Sequence, residues 1–216
     1  MAKEKGRPAE GTSFFARVLT SPLRHGRVKK KGAGDMRVWT RQHRSVLEEL
    51  SARGRYAARR SGVYADLPEQ APLVLTVYDW LAEHHPLRAQ RPVDAEGLVW
   101  LSYERSAAML TDAQSVLLEL DIPEKRIAPV NIAKWGAILN YAYLPRDEAD
   151  ALRHRREMDA QGLSDAQVCM SRFYPALRQE IVQSWDRLFD PAVSLGNGLC
   201  YGTTWELRKE WLIEAK

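Results

Sequence analysis

The chain has 216 residues, 45% of them hydrophobic, and a formal net charge of +4. That apolar fraction supports a core of ordinary size and excludes a wholly disordered chain, and no run approaches the roughly 18 apolar residues of a membrane-spanning helix. Two cysteines, Cys169 and Cys200, can build neither a disulfide scaffold nor a four-thiolate zinc site, so the composition points to a soluble cytoplasmic protein.

Charge is unevenly placed. Residues 1–35 hold nine Lys or Arg against three acids, a net +6, so the remaining 181 residues carry −2. Five glycines with Pro8 and Pro22 break up regular structure there, apart from a short amphipathic turn over residues 13–19. The segment reads as a flexible arm. It either attracts nucleic acid or an acidic protein by counterion release or serves as a solubilising extension. It has no apolar stretch long enough for a secretory signal.

From Met36 the pattern changes. Met36–Thr40 is short, β-branched and aromatic, and predicts a strand. Val46, Leu47 and Leu50 at helical spacing predict a helix over 42–53, stopped by Gly54. Leu73, Val77, Trp80 and Leu81 form one stripe of a helix over 72–85, ended by Pro86. Strands follow at 98–103 and 116–122, with a short edge strand at 127–130. Asn131 then caps a helix over 132–143, and Pro145 opens a charged, solvated helix over 146–159. Ser164 or Asp165 starts a helical stretch to Phe189 that Pro175 kinks or splits. Two closing strands cover 199–207 and 210–213. The expectation is one α+β domain over residues 36–216, with a mixed, mostly antiparallel sheet, split or continuous, and helices packed on it.

Standard chemical motifs are missing. There is no Gly-rich phosphate loop, no H-E-x-x-H and no G-x-S-x-G. The five histidines lack metal-ligand spacing, so no metal is assigned, and His84-His85 reads as a helix end. Cys169 and Cys200 read as inert buried thiols. Seven tryptophans in so small a domain are unusual. Most belong to the core, but Trp39, Trp100 and Trp205 fall in strands expected to be neighbours, where indoles at strand ends stack on a flat ring such as a nucleobase or nicotinamide.

Three blocks carry a family resemblance. Arg37-Val38-Trp39-Thr40-x-Gln42 with Tyr78-Asp79-Trp80-Leu81 resembles the opening of a bacterial and phage family catalogued as domain of unknown function number 3841. Leu118-Glu119-Leu120-Asp121-Ile122-Pro123 leading to Trp135 and Leu139-Asn140-Tyr141 resembles its central block. Ser184-Trp185-Asp186, Thr204-Trp205-Glu206-Leu207 and Lys209-Glu210-Trp211-Leu212-Ile213 resemble its last. The resemblance spans about 36–213 and implies that residues 1–35 are an extension. Tyr201-Gly202 stand where that family suggests a Gln, so no role is carried over from that Gln.

The block order is also similar, more distantly, to ADP-ribosyltransferase folds. That resemblance implies an NAD-consuming transferase in which Glu206 is catalytic. Arg37, Trp39, Thr40, Gln42, Trp100, Ser102 and Tyr103 would then hold NAD as co-substrate. A carboxylate is needed there because glycosidic cleavage builds an oxocarbenium-like ribose whose positive charge must be offset. Two other readings stay open. One is a non-catalytic module that binds nucleic acid or protein through the basic arm and exposed aromatics. The other is an interaction protein without catalysis.

Overall fold

The computed structural model describes residues 34–59, 71–108 and 114–216; the basic arm and its turn over 13–19 lie outside the described residues. Its backbone is built on strand β1 (Asp35–His43) paired antiparallel with β4 (Ser115–Pro123), in register from Asp35↔Pro123 to His43↔Ser115. Alternation decides the faces. Val38 and Thr40 on β1 and Leu118, Leu120 and Ile122 on β4 are buried, while Arg37, Trp39, Glu119 and Asp121 share the opposite face. Strand β8 (Leu212–Ala215) adds to the other edge of β4 after a register shift at Glu119/Leu120.

A second sheet has the order β3-β6-β5, from Val99–Leu101, Cys200–Thr204 and Ala128–Asn131. A two-stranded ribbon pairs β2 (Arg55–Ala57) with β7 (Glu206–Arg208). The three-stranded sheets meet at one bridge, where Trp39 N donates to Ser102 O at 2.9 Å and Ser102 N to Trp39 O at 2.7 Å. The architecture is α+β with a split sheet, and every strand pairing among the described residues is antiparallel.

The helices follow their end signals. Helix α1 (Arg44–Arg53) is capped by the His43 side chain, which accepts from Ser45 N. It ends at Gly54, whose φ of +76° suits glycine and whose N–H reaches Leu50 O. The predicted start at Gln42 is two residues early, because Gln42 and His43 continue the ladder with Val116 and Ser115. Helix α2 (Ala71–His84) buries Val77, Trp80 and Leu81 of its stripe, whereas Leu73 in its first turn is exposed. Helix α3 (Ile132–Leu139) has Asn131 as cap, accepting from Lys134 N, but it stops short of Tyr143 because Tyr141 turns left-handed at φ 58°. Helix α4 (Glu148–Gln161) begins after Asp147, leaving Pro145 outside it. Helices α5 (Asp165–Met170), with a Ser164/Gln167 capping box, and α6 (Pro175–Ser184) are the two halves of the stretch that Pro175 divides.

Two expectations need correction. The first closing strand is broken at Trp205, whose buried indole donates to Leu87 O at 2.7 Å and forces β6 and β7 into different sheets. Helix α4 is not simply a solvated rod: Asp150, His154 and Met158 are buried on one side, the polar pair because hydrogen-bonding partners meet them there.

Packing forms two cores. Val38, Leu50, Leu101, Leu118, Leu120 and Ile122 fill the space under α1, and Trp80, Leu81, Trp135, Ile138, Ile181 and Trp185 fill the space under α2, α3 and α6. Buried Lys134 joins α3 to the turn at Trp185–Phe189, its Nζ donating to Arg187 O at 2.8 Å and Asp190 O at 2.7 Å. Among the described residues, no helix is long and apolar enough to cross a membrane.

Candidate functional site

The Trp39–Ser102 bridge sets residues of β1 beside those of β3. Arg37, Trp39, Thr40 and Gln42 lie on β1, Trp100 lies on β3, and Ser102 and Tyr103 follow it directly. Seven residues in two groups that lie 58 positions apart in the sequence therefore gather at one junction. Because Ser102 pairs with Trp39 and side chains alternate, Trp39 and Trp100 lie on one face. Both are half-buried.

Most polar groups here are already engaged. Thr40 Oγ1 donates to Trp100 O at 2.7 Å and accepts from Gln42 Nε2 at 2.8 Å, so both side chains splint the junction. Ser102 Oγ donates to Glu104 O at 2.6 Å and accepts from Glu104 N at 3.2 Å, a local turn. Arg37 spans two acids of β4, Nε to Asp121 at 2.6 Å and Nη1 to Glu119 at 2.5 Å. The Arg37 guanidinium holds the Glu119 carboxyl below its usual range. Tyr103 is desolvated, which raises its hydroxyl well above the usual range. A Cβ at Gly202 would come within 2.8 Å of Ile127 Cγ2 and 3.1 Å of the Tyr103 hydroxyl, so a longer residue does not fit there without movement.

What remains is aromatic. Trp100 packs against Trp135 of α3, ring centroids 5.5 Å apart and planes tilted by 37°, and Tyr78 of α2 meets Trp135 edge-on at 5.3 Å. The indole N–H groups of Trp39, Trp100 and Trp135 are all buried without an acceptor, and those of Trp100 and Trp135 belong to rings in contact. Trp185 and Trp205, by contrast, donate to Ala142 O and Leu87 O. An orphaned buried donor costs about 1–3 kcal/mol, so two beside one another are a feature to explain. The sequence suggested Trp205 as the third aromatic; the structure puts Trp135 there. Nothing in the sequence said which strand Trp135 would meet.

Glu206 stands apart in the β2–β7 ribbon. It is 6% exposed, with Arg55 Nε on Oε2 at 3.1 Å and Arg208 Nε on Oε1 at 2.7 Å; Arg55 also grips Asp94. Both carboxylate oxygens are thus occupied. Its polar partners do not include any of the seven residues at the β1–β3 junction. Glu206→Gln removes the charge from between two guanidinium groups that still reach solvent, and is expected to lower stability by about 1–2 kcal/mol in urea unfolding. A loss of 4 kcal/mol or more would mean the cations are trapped rather than hydrated.

The two thiols are unreactive in character. Burial pushes Cys169 up to about 11 and raises Cys200 as well, so neither is a ready nucleophile.

No curated protein and no solved structure matches the chain. The family model of a domain of unknown function, DUF3841, matches residues 37–213, which include the β1–β3 junction, the Trp100–Trp135 pair and Glu206, and the chain belongs to that family.

Proposed function

We propose that this protein is a nucleic-acid-binding module of the bacterial cytoplasm, in which the Trp39–Trp100 face receives an unstacked base. The reading is carried by one observation: two neighbouring indole N–H groups, on Trp100 and Trp135, are buried without acceptors. A base carbonyl supplies the missing acceptor when the indoles turn toward it, since both N–H groups lie out of solvent contact, and the half-buried rings of Trp39 and Trp100 offer a stacking surface worth about 1–3 kcal/mol per base. The nine Lys or Arg of residues 1–35 follow the phosphates, because the rest of the chain is net negative.

The test is fluorescence titration of the full chain with single-stranded oligonucleotides, on wild type and on the Trp100→Phe/Trp135→Phe double variant. Affinity falls at least tenfold in the variant, while its thermal midpoint stays within a few degrees, because removing orphaned donors offsets the lost apolar area. Removal of residues 1–35 flattens the dependence on salt. Equal affinities in the two proteins, or no binding at all, overturn the reading.

A second reading rests on the half-buried Trp39 and Trp100 rings, which suit a nicotinamide as well as a base, while Thr40, Gln42 and Ser102 are held in hydrogen bonds within the junction. An NAD-consuming transferase would need Glu206 to be released by Arg55 and Arg208. Nicotinamide release by wild type, abolished in folded Glu206→Gln, is the outcome that would select it over the binding module.

A further inference from the structure

We infer that His154, Glu157 and Glu180 form a binding site for a divalent transition-metal cation between α4 and α6. One ring nitrogen of His154 and one carboxylate oxygen from each glutamate lie within 4.8 Å of one another. His154 and Glu157 sit one turn apart on α4, and Glu180 comes from α6, so no sequence spacing announces the set.

The histidine is prepared in a particular way. Its side chain is 8% exposed, and its Nε2 meets Asp165 Oδ1 at 2.7 Å. An ionised carboxylate only accepts, so Nε2 is a donor to Asp165 and Nδ1 is the ring nitrogen left to face a ligand. Asp165 is itself held by Tyr143 N at 2.7 Å, and the Tyr143 ring stacks on the imidazole at 4.0 Å with an 11° tilt. Nδ1 is buried with no partner. A carboxylate fixing the far nitrogen of a histidine whose other nitrogen is unshared is the arrangement that orients metal-ligating imidazoles. For a purely structural histidine, a buried bare Nδ1 is a cost with no return.

Arg153 lies between the glutamates, donating to Glu157 at 3.2 Å and to Glu180 at 2.5 Å. It also touches Asp150 at 3.1 Å and the Tyr143 hydroxyl at 3.0 Å, so it keeps a carboxylate when a cation takes the glutamates. Zn–N and Zn–O distances of about 2.0–2.1 Å bring tetrahedral ligand atoms roughly 3.3 Å apart. The half-exposed Glu157 and Glu180 can close that gap by side-chain rotation. Three protein ligands leave a fourth position for water. One nitrogen and two oxygens with an open position suit Zn²⁺ better than Ca²⁺, which takes six to eight oxygens.

The experiment uses the full chain, stripped with chelator and titrated with Zn²⁺ by calorimetry. Wild type is expected to hold one Zn²⁺ per chain. The Glu157→Gln/Glu180→Gln variant, its fold checked by circular dichroism, is expected to bind at least tenfold more weakly. In wild type alone, Zn²⁺ should move the ¹⁵N resonance of His154 Nδ1 and leave Nε2 protonated, a readout that needs no variant. Absence of saturable binding, equal affinity in wild type and a folded variant, or an unmoved His154 Nδ1 resonance overturns the site.

Discussion

Replacing Asp150 by Ala should cost about 3–5 kcal/mol, the penalty typical of removing one partner from a buried charged network. Asp150 is 6% exposed and accepts from the Tyr143 hydroxyl at 2.9 Å, Arg146 N at 2.9 Å, Arg187 Nη1 at 3.0 Å and Arg153 Nη2 at 3.1 Å. Burial pushes this carboxyl upward, but the Arg146 N–H, Arg153, Tyr143 and Arg187 together outweigh it and hold the group at about 2. Its neighbours are equally committed. Arg187 donates to Leu144 O and lies 5.2 Å from the centre of the Tyr143 ring. Without Asp150, the Arg187 guanidinium and the Tyr143 hydroxyl lose their shared acceptor, and the junction of α4 with the turn at Trp185–Phe189 loosens. For a chain of this length the drop in thermal midpoint should be about 10 °C. Asp150→Asn keeps one acceptor and should cost less. A loss below 1 kcal/mol for Asp150→Ala would show that water screens this network as it does exposed ion pairs.

The second large effect is acid sensitivity through His85. This side chain is 3% exposed; Leu87 N donates to Nδ1 at 3.1 Å, so Nε2 carries the proton and donates to Thr203 Oγ1 at 2.9 Å. Thr203 in turn donates to Ala128 O at 2.9 Å. A second proton would have to sit on Nδ1, against the Leu87 N–H. Desolvation lowers the group from 6.5 to about 4. The unfolded chain therefore binds a proton between pH 6.5 and 4 that the folded chain refuses, and stability falls as pH drops through that window. A difference of this size is worth about 3 kcal/mol once pH is near 4. Urea unfolding of wild type at steps from pH 7.5 to 4.5 should show this decline. His85→Gln should be less stable at pH 7.5 but nearly flat down to pH 5. An unchanged slope in the variant would assign the acid sensitivity to another group.

The Trp39–Trp100 face and the His154 site respond to different perturbations. Trp100→Phe/Trp135→Phe should leave Zn²⁺ binding intact, and Glu157→Gln/Glu180→Gln should leave oligonucleotide affinity intact, because the first pair belongs to β3 and α3 and the second to α4 and α6. One reading can fail without the other.

Much of the local structure is determined by the sequence alone. The alternation of Leu118, Leu120 and Ile122 with polar neighbours states a strand and its buried face; Gly54, Asn131, Ser164 and Pro175 state where helices end or begin. These signals are local: they depend on side chains within a turn or two of each other. The three-residue β2 escapes such reading, being too short to show a period and held only by its partner β7. Tertiary structure decided everything that depends on distant segments meeting. It placed Trp135 against Trp100 in place of Trp205, engaged Glu206 with Arg55 across 151 positions, and drew Glu180 to the turn of α4 that carries His154 and Glu157. It also made α4, charged throughout its sequence, a carrier of buried polar groups. Whether a charge stays in water or is buried depends on what arrives opposite it, and for Asp150 and His154 those partners are Arg187, Tyr143 and Asp165.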